Sequence, residues 1–319
     1  MGPLLKICAV NFWDGFSLES GFVKYLLDLA LDSFLVVPTQ QEADIVLTTP
    51  FTPRRRRWYR PHPKGTVDYP EKAIAFIWEN QRPVYQNYGY SLSSDFDSYG
   101  RRNCRLPYWY GQLKWPGMIP ERRLRAPGDP HGFEPPAEID SLLHPRSLAG
   151  SADRERFCCL VAANPEPHRM FSAQQLSRIE RVDLYGRIAG KAHEGSKYDL
   201  LSNYRFNICF ENSIFPGYYT EKLLQAWVGG CVPLYYADPW FAADFNPKAA
   251  INRANFRSLQ EFADHVAEIN STRAAMVEIV NQPLLTKRPT LDAAVQFLRQ
   301  ACIEIANRSG TARSRADVA

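Results

Sequence analysis

The stretch RFNICFENSIFPGYYTEKLLQAWVGGCVPLYYADP, residues 205–239, decides the fold, because an apolar run ending in polar residues passes into a helical pattern and then a second apolar run. RFNICF has the length and composition of a buried strand, and Glu211, Asn212 and Ser213 close it. Thr220 reads as a helix N-cap, with Glu221 and Lys222 in the first turn. Leu223, Leu224, Trp227 and Val228 form the packing face, and Gly230 is the stop. CVPLYY is the next strand. A strand, a helix and a strand in this order make a parallel unit, which places the helix start beside the strand ends. Its free N–H groups and the positive end of its dipole suit that place to a phosphate. In isolation Glu221 and Lys222 would be ordinary surface residues of a first turn. Their context argues otherwise: FENS lies at the strand end, and Gly217, Tyr218 and Tyr219 make a flexible, aromatic approach to the same helix start. An amide, a carboxylate, an ammonium and a ring converge there, a set suited to the ribose, diphosphate and base of a nucleotide.

Outward from this stretch the rhythm repeats. Upstream, FCCLVAA, a helical stretch around residues 171–180 and VDLYG precede it; downstream, Ser258 and Glu261 form a capping-box pair opening a helix with Phe262, Val266 and Ile269 on one face. The first third of the chain shows the same alternation: LLKICAV, a helix with Phe22, Tyr25, Leu26 and Leu29 on one face, then FLVV, ADIVLT and AIAFIW. Residues 115–150 collect seven prolines between Pro116 and Pro145 and read as a connector. The expected organisation is an N-terminal domain over 1–150 and a C-terminal domain over 151–290. A helix over 291–307, with Leu291, Val295, Leu298, Cys302 and Ile305 as its stripe, is expected to pack back across the cleft, and 308–319 to be a disordered tail.

Length supports two domains, since 319 residues exceed what one core usually serves. With 45% apolar and 23% charged residues and a net charge of +4, bulk charge nominates no nucleic acid. No run approaches the roughly 18 apolar residues of a membrane helix, and the opening MGPLLKICAV NFWDG shows no signal-type cleavage region, so a cytoplasmic location is expected. The seven cysteines have no paired metal spacing and read as small core residues of a reducing compartment. The six histidines, at 62, 131, 144, 168, 193 and 265, show no ligand spacing either, and His168 is placed at the surface.

FENS, GYYTEK and GGCVPLYYADP resemble the donor-binding signature of the α1,3-fucosyltransferases, glycosyltransferase family 10, in the order and spacing of the bacterial, Helicobacter-type members. VAANPEPHRMFS, VDLYGR and DFNPKAAINRANFRS are similar to the blocks flanking that signature. KAIAFIWENQRP and YGYSLSSDFDSYGRRNCRLPYWY resemble the acceptor-domain block. The resemblance implies an α/β protein in the GT-B arrangement, two Rossmann-like domains facing a central cleft. It also implies direct, inverting transfer of L-fucose from GDP-fucose to a glycan hydroxyl, without a metal or other cofactor. O3 of a GlcNAc in an N-acetyllactosamine-type glycan is the expected acceptor atom.

By the same resemblance Arg169 and Lys222 hold the diphosphate, Glu221 accepts from donor hydroxyls, and Asn212 and Tyr218 line the donor pocket. Two fixed cations beside a helix N-terminus can take up the charge growing on a departing diphosphate. Inverting transfer needs a base for the acceptor hydroxyl, and Glu79, directly after the strand AIAFIW, is the candidate. Partial burial would raise its pKa towards the working range. Trp78 stands where relatives often carry glycine. Asp95 and Asp97 in SDFDS have the spacing of a metal-held diphosphate site, but they lie in the half away from the donor signature and read as a solvated turn. The basic run Arg54–Arg57 reads as a solvated loop. In a functional role it would guide an anionic or membrane-held glycolipid acceptor, with peripheral contact to the inner membrane.

Overall fold

The computed structural model describes residues 4–13, 16–50, 67–119, 136–190, 195–308 and 310. The run Arg54–Arg57 and residues 311–319 lie outside the described residues. The chain forms two compact units, the first within Met1–Pro107, Pro116–Arg123 and Pro289–Ala319, the second within Tyr108–Trp115 and Leu124–Arg288.

The first unit holds six parallel strands: β1 (Leu5–Val10), β2 (Phe34–Val36), β3 (Ile45–Thr48), β4 (Ala73–Ile77), β5 (Tyr90–Ser93) and β6 (Asn103–Arg105), in the order β2-β1-β3-β4-β5-β6. β3 and β4 are buried along their whole length, as unbroken apolar runs require in a parallel sheet covered on both faces. Helix α1 (Gly21–Ala30) buries Phe22, Val23, Leu26, Leu27 and Ala30. The expected face is therefore rotated, and Leu29 points to solvent.

The second unit opens with a short parallel pair, β7 (Leu113–Lys114) and β8 (Ala137–Glu138), followed by α2 (Ile139–Leu143). Then come β9 (Arg156–Val161), α3 (Pro167–Leu176), β10 (Val182–Tyr185), α4 (Lys197–Leu201), β11 (Tyr204–Ile208), α5 (Glu221–Val228), β12 (Val232–Tyr235), β13 (Ile251–Asn252), α6 (Leu259–Ser271) and α7 (Arg273–Val280). The parallel sheet runs β10-β9-β11-β12-β13. Phe157, Leu160, Phe206, Ile208, Leu234, Phe262 and Val266 form its core. Helix α5 ends as its sequence dictates. Gly230 takes φ +75°, its N–H reaching Trp227 O (2.9 Å) while Cys231 N reaches Ala226 O (3.2 Å), the double closure of a Schellman motif. At α6 Ser258 Oγ accepts from Glu261 N (3.0 Å), but the Glu261 carboxylate turns to Arg257 N (2.9 Å), one residue before the partner a reciprocal box would choose.

The boundary expected near residue 150 falls earlier. Leu142 O accepts from Leu285 N (2.9 Å) and Leu148 N donates to Asn281 Oδ1 (2.7 Å). The Arg146 guanidinium lies 3.6 Å over the Trp227 ring and donates to Trp227 O and Val280 O. The proline-rich connector has no periodicity to reveal this, because the half-buried Arg146 and a few hydrogen bonds to distant residues help to strap it down. The last helix, α8 (Asp292–Arg308), belongs to the first unit. It packs on α1 with Leu298, Ala301, Cys302 and Ile305 inward, and Arg299 donates to Ala30 O (2.8 Å) and Leu29 O (3.0 Å).

Gly186, after β10, has φ +87° and ψ −163°, a region only glycine occupies comfortably, and a Cβ built there would sit 2.4 Å from Ala162 O. Gly186→Ala is expected to destabilise by about 3 kcal/mol or more. Gly100, at φ +66° with nothing within 4 Å of its Cβ position, is the control. Gly100→Ala should cost only about 1–2 kcal/mol of local strain. Urea unfolding of both variants checks the difference.

Candidate functional site

In an open parallel sheet, ligands bind outside the carboxyl ends of the strands, where the strand order reverses. In the second unit that point lies between β9 and β11. Arg169, from the first turn of α3, bridges the two chain segments leaving those strands. Its Nε and Nη2 donate to Phe210 O (3.1 and 2.6 Å), and its Nη1 lies 3.5 Å from Asn164 O. The side chain is 2% exposed. Burial draws the guanidinium pKa down, and Glu211, Glu166, Tyr218 and Glu221 act against that. The group remains a cation. His168 is not a free surface residue: its Nε2 pairs with Glu211 O (2.9 Å), and its ring stacks on Phe210.

The start of α5 is organised by Glu211, a buried carboxylate. Its Oε1 accepts from Thr220 N (2.8 Å), Thr220 Oγ1 (2.9 Å) and Tyr235 OH (2.8 Å), and its Oε2 from Thr220 Oγ1 (2.7 Å) and Lys222 Nζ (2.9 Å). Thr220 stands at the N-cap position as expected, but its hydroxyl serves Glu211 and makes no capping bond. Lys222 Nζ also donates to Thr220 Oγ1 (2.8 Å) and Glu221 Oε1 (3.3 Å). Burial would lower the Lys222 pKa, yet Glu211 and Glu221 outweigh it and hold the ammonium well above its ordinary value. Lys197, at the start of α4, donates to Gln225 Oε1 (2.7 Å) and lies in the field of Glu221 and Lys222; burial draws its pKa down.

Tyr218 is buried, and Arg169 and Lys222 both lie in its field. Asn212 is half-buried in the loop after β11, and its side chain makes no hydrogen bond among the described residues. The expected flexible approach is instead welded in place. Gly217 N (3.2 Å) and Tyr219 OH (2.8 Å) both donate to Asp238 Oδ2, and Tyr219 packs on Phe241 and Phe245. Asp238 belongs to the ADP tripeptide, so two sequence-distant parts of the quoted stretch bind each other.

Glu221 has a measurable consequence. Burial would raise its pKa, but the Lys222 and Lys197 ammoniums outweigh that and hold it down at about 2, against an ordinary 4.5. A depressed carboxylate contributes stability that is fully present above its unfolded pKa and lost as pH falls through the folded one. Wild type is therefore expected to exceed Glu221→Gln in urea midpoint at about pH 6, the gap closing between about pH 4.5 and pH 2.

In the first unit Glu79 lies half-buried just beyond the carboxyl end of β4, after the buried Trp78, in a turn closed by Gln81 N on Glu79 O (2.8 Å). The same turn is anchored three residues on. Arg82 Nη1 pairs with Asp95 Oδ2 (2.5 Å), which also accepts from Tyr99 OH (2.6 Å). Asp95 is thus a buried anchor rather than part of a solvated turn, while Asp97 is exposed and accepts from Tyr99 N (2.8 Å). The strand β5, buried along its whole length and ending two residues before it, carries Asp95 inward. Beside Glu79 an aromatic group gathers at the ends of β1 and β4, with Trp78 against Phe76 (5.4 Å), Trp13 (6.2 Å) and Phe22 (6.3 Å), and Phe16 stacked on Phe12 (3.9 Å). Among the described residues no group of three His, Cys, Asp or Glu side chains is arranged to hold a metal ion. No helix among them is long and apolar enough to cross a membrane.

Residues 152–281, which carry Arg169, Glu211, Asn212, Tyr218, Glu221 and Lys222, match the sequence profile of glycosyltransferase family 10 (fucosyltransferase), C-terminal part. The α-(1,3)-fucosyltransferase FucT of Helicobacter pylori is 26% identical, over 92% of this chain and 63% of that protein. Over residues 152–281 the chain is therefore similar to glycosyltransferase family 10. The chain spans less than two thirds of the length of the Helicobacter enzyme. A 4-galactosyl-N-acetylglucosaminide 3-α-L-fucosyltransferase of Gorilla gorilla gorilla is 32% identical over 46% of the chain and 41% of that protein. A crystal structure of an α1,3-fucosyltransferase with GDP matches at a TM-score of 0.70 and 21% identity, over 95% of this chain and 91% of that one. One with GDP-fucose matches at 0.68 and 20%, with the same coverage. At that identity the likeness speaks for the fold, a GT-B fold of two Rossmann-like units. Glu79 lies outside the matched profile, in the first unit.

Proposed function

We propose that this protein is a member of glycosyltransferase family 10 and transfers L-fucose from GDP-fucose to a hydroxyl of a glycan, with inversion and without a metal. The observation that carries the reading is the convergence at the switch point of the second sheet. Arg169 and Lys222, arriving from different helices, meet at the end of β11, Arg169 donating to Phe210 O (3.1 and 2.6 Å) and Lys222 to the carboxylate of the next residue, Glu211 (2.9 Å). Two cations fixed before the donor arrives can stabilise the charge that grows on the β-phosphate as the C–O bond to fucose breaks, with no reorganisation at that moment. Asn212 and Tyr218 line the same place, and Glu221 is positioned to accept from donor hydroxyls. Glu79 takes the proton of the acceptor hydroxyl as its oxygen attacks the anomeric carbon from the face opposite the diphosphate.

The acceptor proposed is a GlcNAc-containing glycan, attacked through O3; the two fucosyltransferase names above, one 1,3-specific and one acting on 4-galactosyl-N-acetylglucosaminide, support that class. The aromatic group beside Glu79 offers apolar ring faces of the kind sugar sites use. Release of GDP from GDP-fucose across a glycan array tests the proposal, with UDP-sugars as the donor control. Competition by UDP equal to that by GDP would favour another nucleotide sugar on the same cradle. GDP binding without turnover on any glycan would mark a non-catalytic binder.

A further inference from the structure

The geometry points to Glu211 as a positioning residue of the donor site: it holds Lys222 so that one N–H of the ammonium is offered to the diphosphate. This rests on the donor reading above and goes beyond it, because Glu211 itself touches no ligand. A carboxylate has about four acceptor sites. Here four protein donors fill them: Thr220 N–H, Thr220 O–H, Tyr235 O–H and Lys222 Nζ. With 2% of the residue exposed, nothing of Glu211 remains for a sugar hydroxyl.

Lys222 shows what the arrangement does. An ammonium has three N–H groups, and here they go to Glu211 Oε2 (2.9 Å), Thr220 Oγ1 (2.8 Å) and Glu221 Oε1 (3.3 Å). The first two partners are tied to each other through Thr220 Oγ1, whose proton goes to Glu211. They form a closed triangle at the start of α5. The bond to Glu221 is the longest of the three, and its acceptor is the most exposed. A phosphate oxygen arriving at Lys222 replaces that bond and leaves the triangle intact. The same exchange releases a Glu221 oxygen to accept from a donor hydroxyl, so one step readies both groups. No bond is made or broken besides hydrogen bonds, and no proton changes owner.

The experiment is a double-mutant cycle on the full chain, read by calorimetric titration with GDP. Lys222→Met should weaken GDP binding. Glu211→Gln, confirmed folded by circular dichroism and a cooperative melt, should weaken GDP binding about tenfold with Lys222 present but less than about twofold in the Lys222→Met background. Thr220→Val, which removes the hydroxyl shared by Glu211 and Lys222, should show the same pattern at smaller size and carries the test if Glu211→Gln does not fold. Equal losses in both backgrounds would mean that Glu211 only supports the fold, and wild-type affinity in folded Glu211→Gln would also overturn the inference. Lys222→Met binding GDP as wild type does would instead sink the donor reading, and with it any role of Glu211 through Lys222.

Discussion

Glu79→Gln is expected to lower turnover by about two to four orders of magnitude while leaving GDP affinity within about twofold. The substitution keeps volume and hydrogen-bonding shape but removes the ability to take a proton. The carboxylate lies half-buried at a strand end, in a turn that Arg82 and Asp95 fix in place. GDP affinity should hold, because the groups proposed for the donor belong to the other compact unit. Single-turnover release of GDP, paired with calorimetric GDP titration, checks both halves. Turnover within about tenfold of wild type would remove Glu79 as the base. Asp95→Asn offers a graded companion: the Arg82 and Tyr99 contacts weaken but the carboxylate of Glu79 stays, so the loss should be smaller than for Glu79→Gln.

Lys222→Met is the second large effect, and it has two parts. Loss of a fixed cation from a developing phosphate charge should reduce turnover by about 10²–10³-fold, equivalent to about 2.7–4 kcal/mol of transition-state stabilisation. The same change leaves Glu211 as a buried carboxylate without its ammonium, and breaking a buried pair from one side costs about 3–5 kcal/mol of stability. The melting temperature should therefore fall with the activity. Lys222→Met combined with Glu211→Gln separates the parts, since the double variant removes both charges: stability should recover while turnover stays low. Turnover returning together with stability would show that the loss came from misfolding rather than from the missing cation.

Much of this molecule was legible in the sequence, and the reasons differ from element to element. β3 and β4 announced themselves because a strand buried on both faces must be apolar throughout, and Gly230 because a Schellman closure needs a left-handed residue. The buried face of α1 lies one position from the one its apolar spacing suggests, so that Leu29 is exposed where Val23 and Leu27 are buried. A short amphipathic run leaves its rotation to whatever packs against it, here including α8. The burial of Asp95 is not legible in SDFDS because the loop signal there is local, whereas its partner Arg82 comes from the neighbouring strand's turn.

The sequence by itself determined two α/β units and the strand-to-helix stretch that carries the groups proposed for the donor, and it bore the resemblance to glycosyltransferase family 10. Only the tertiary structure decided how those groups are used. It turned Thr220 away from capping and onto Glu211, closed the Gly217–Tyr219 segment on Asp238, laid Arg169 across the ends of two strands, and returned the last helix to the first unit. The physical reason is range. Strand and helix periodicity are written in neighbours a few residues apart, while a buried charge chooses its partners from whatever the fold brings within about 3 Å.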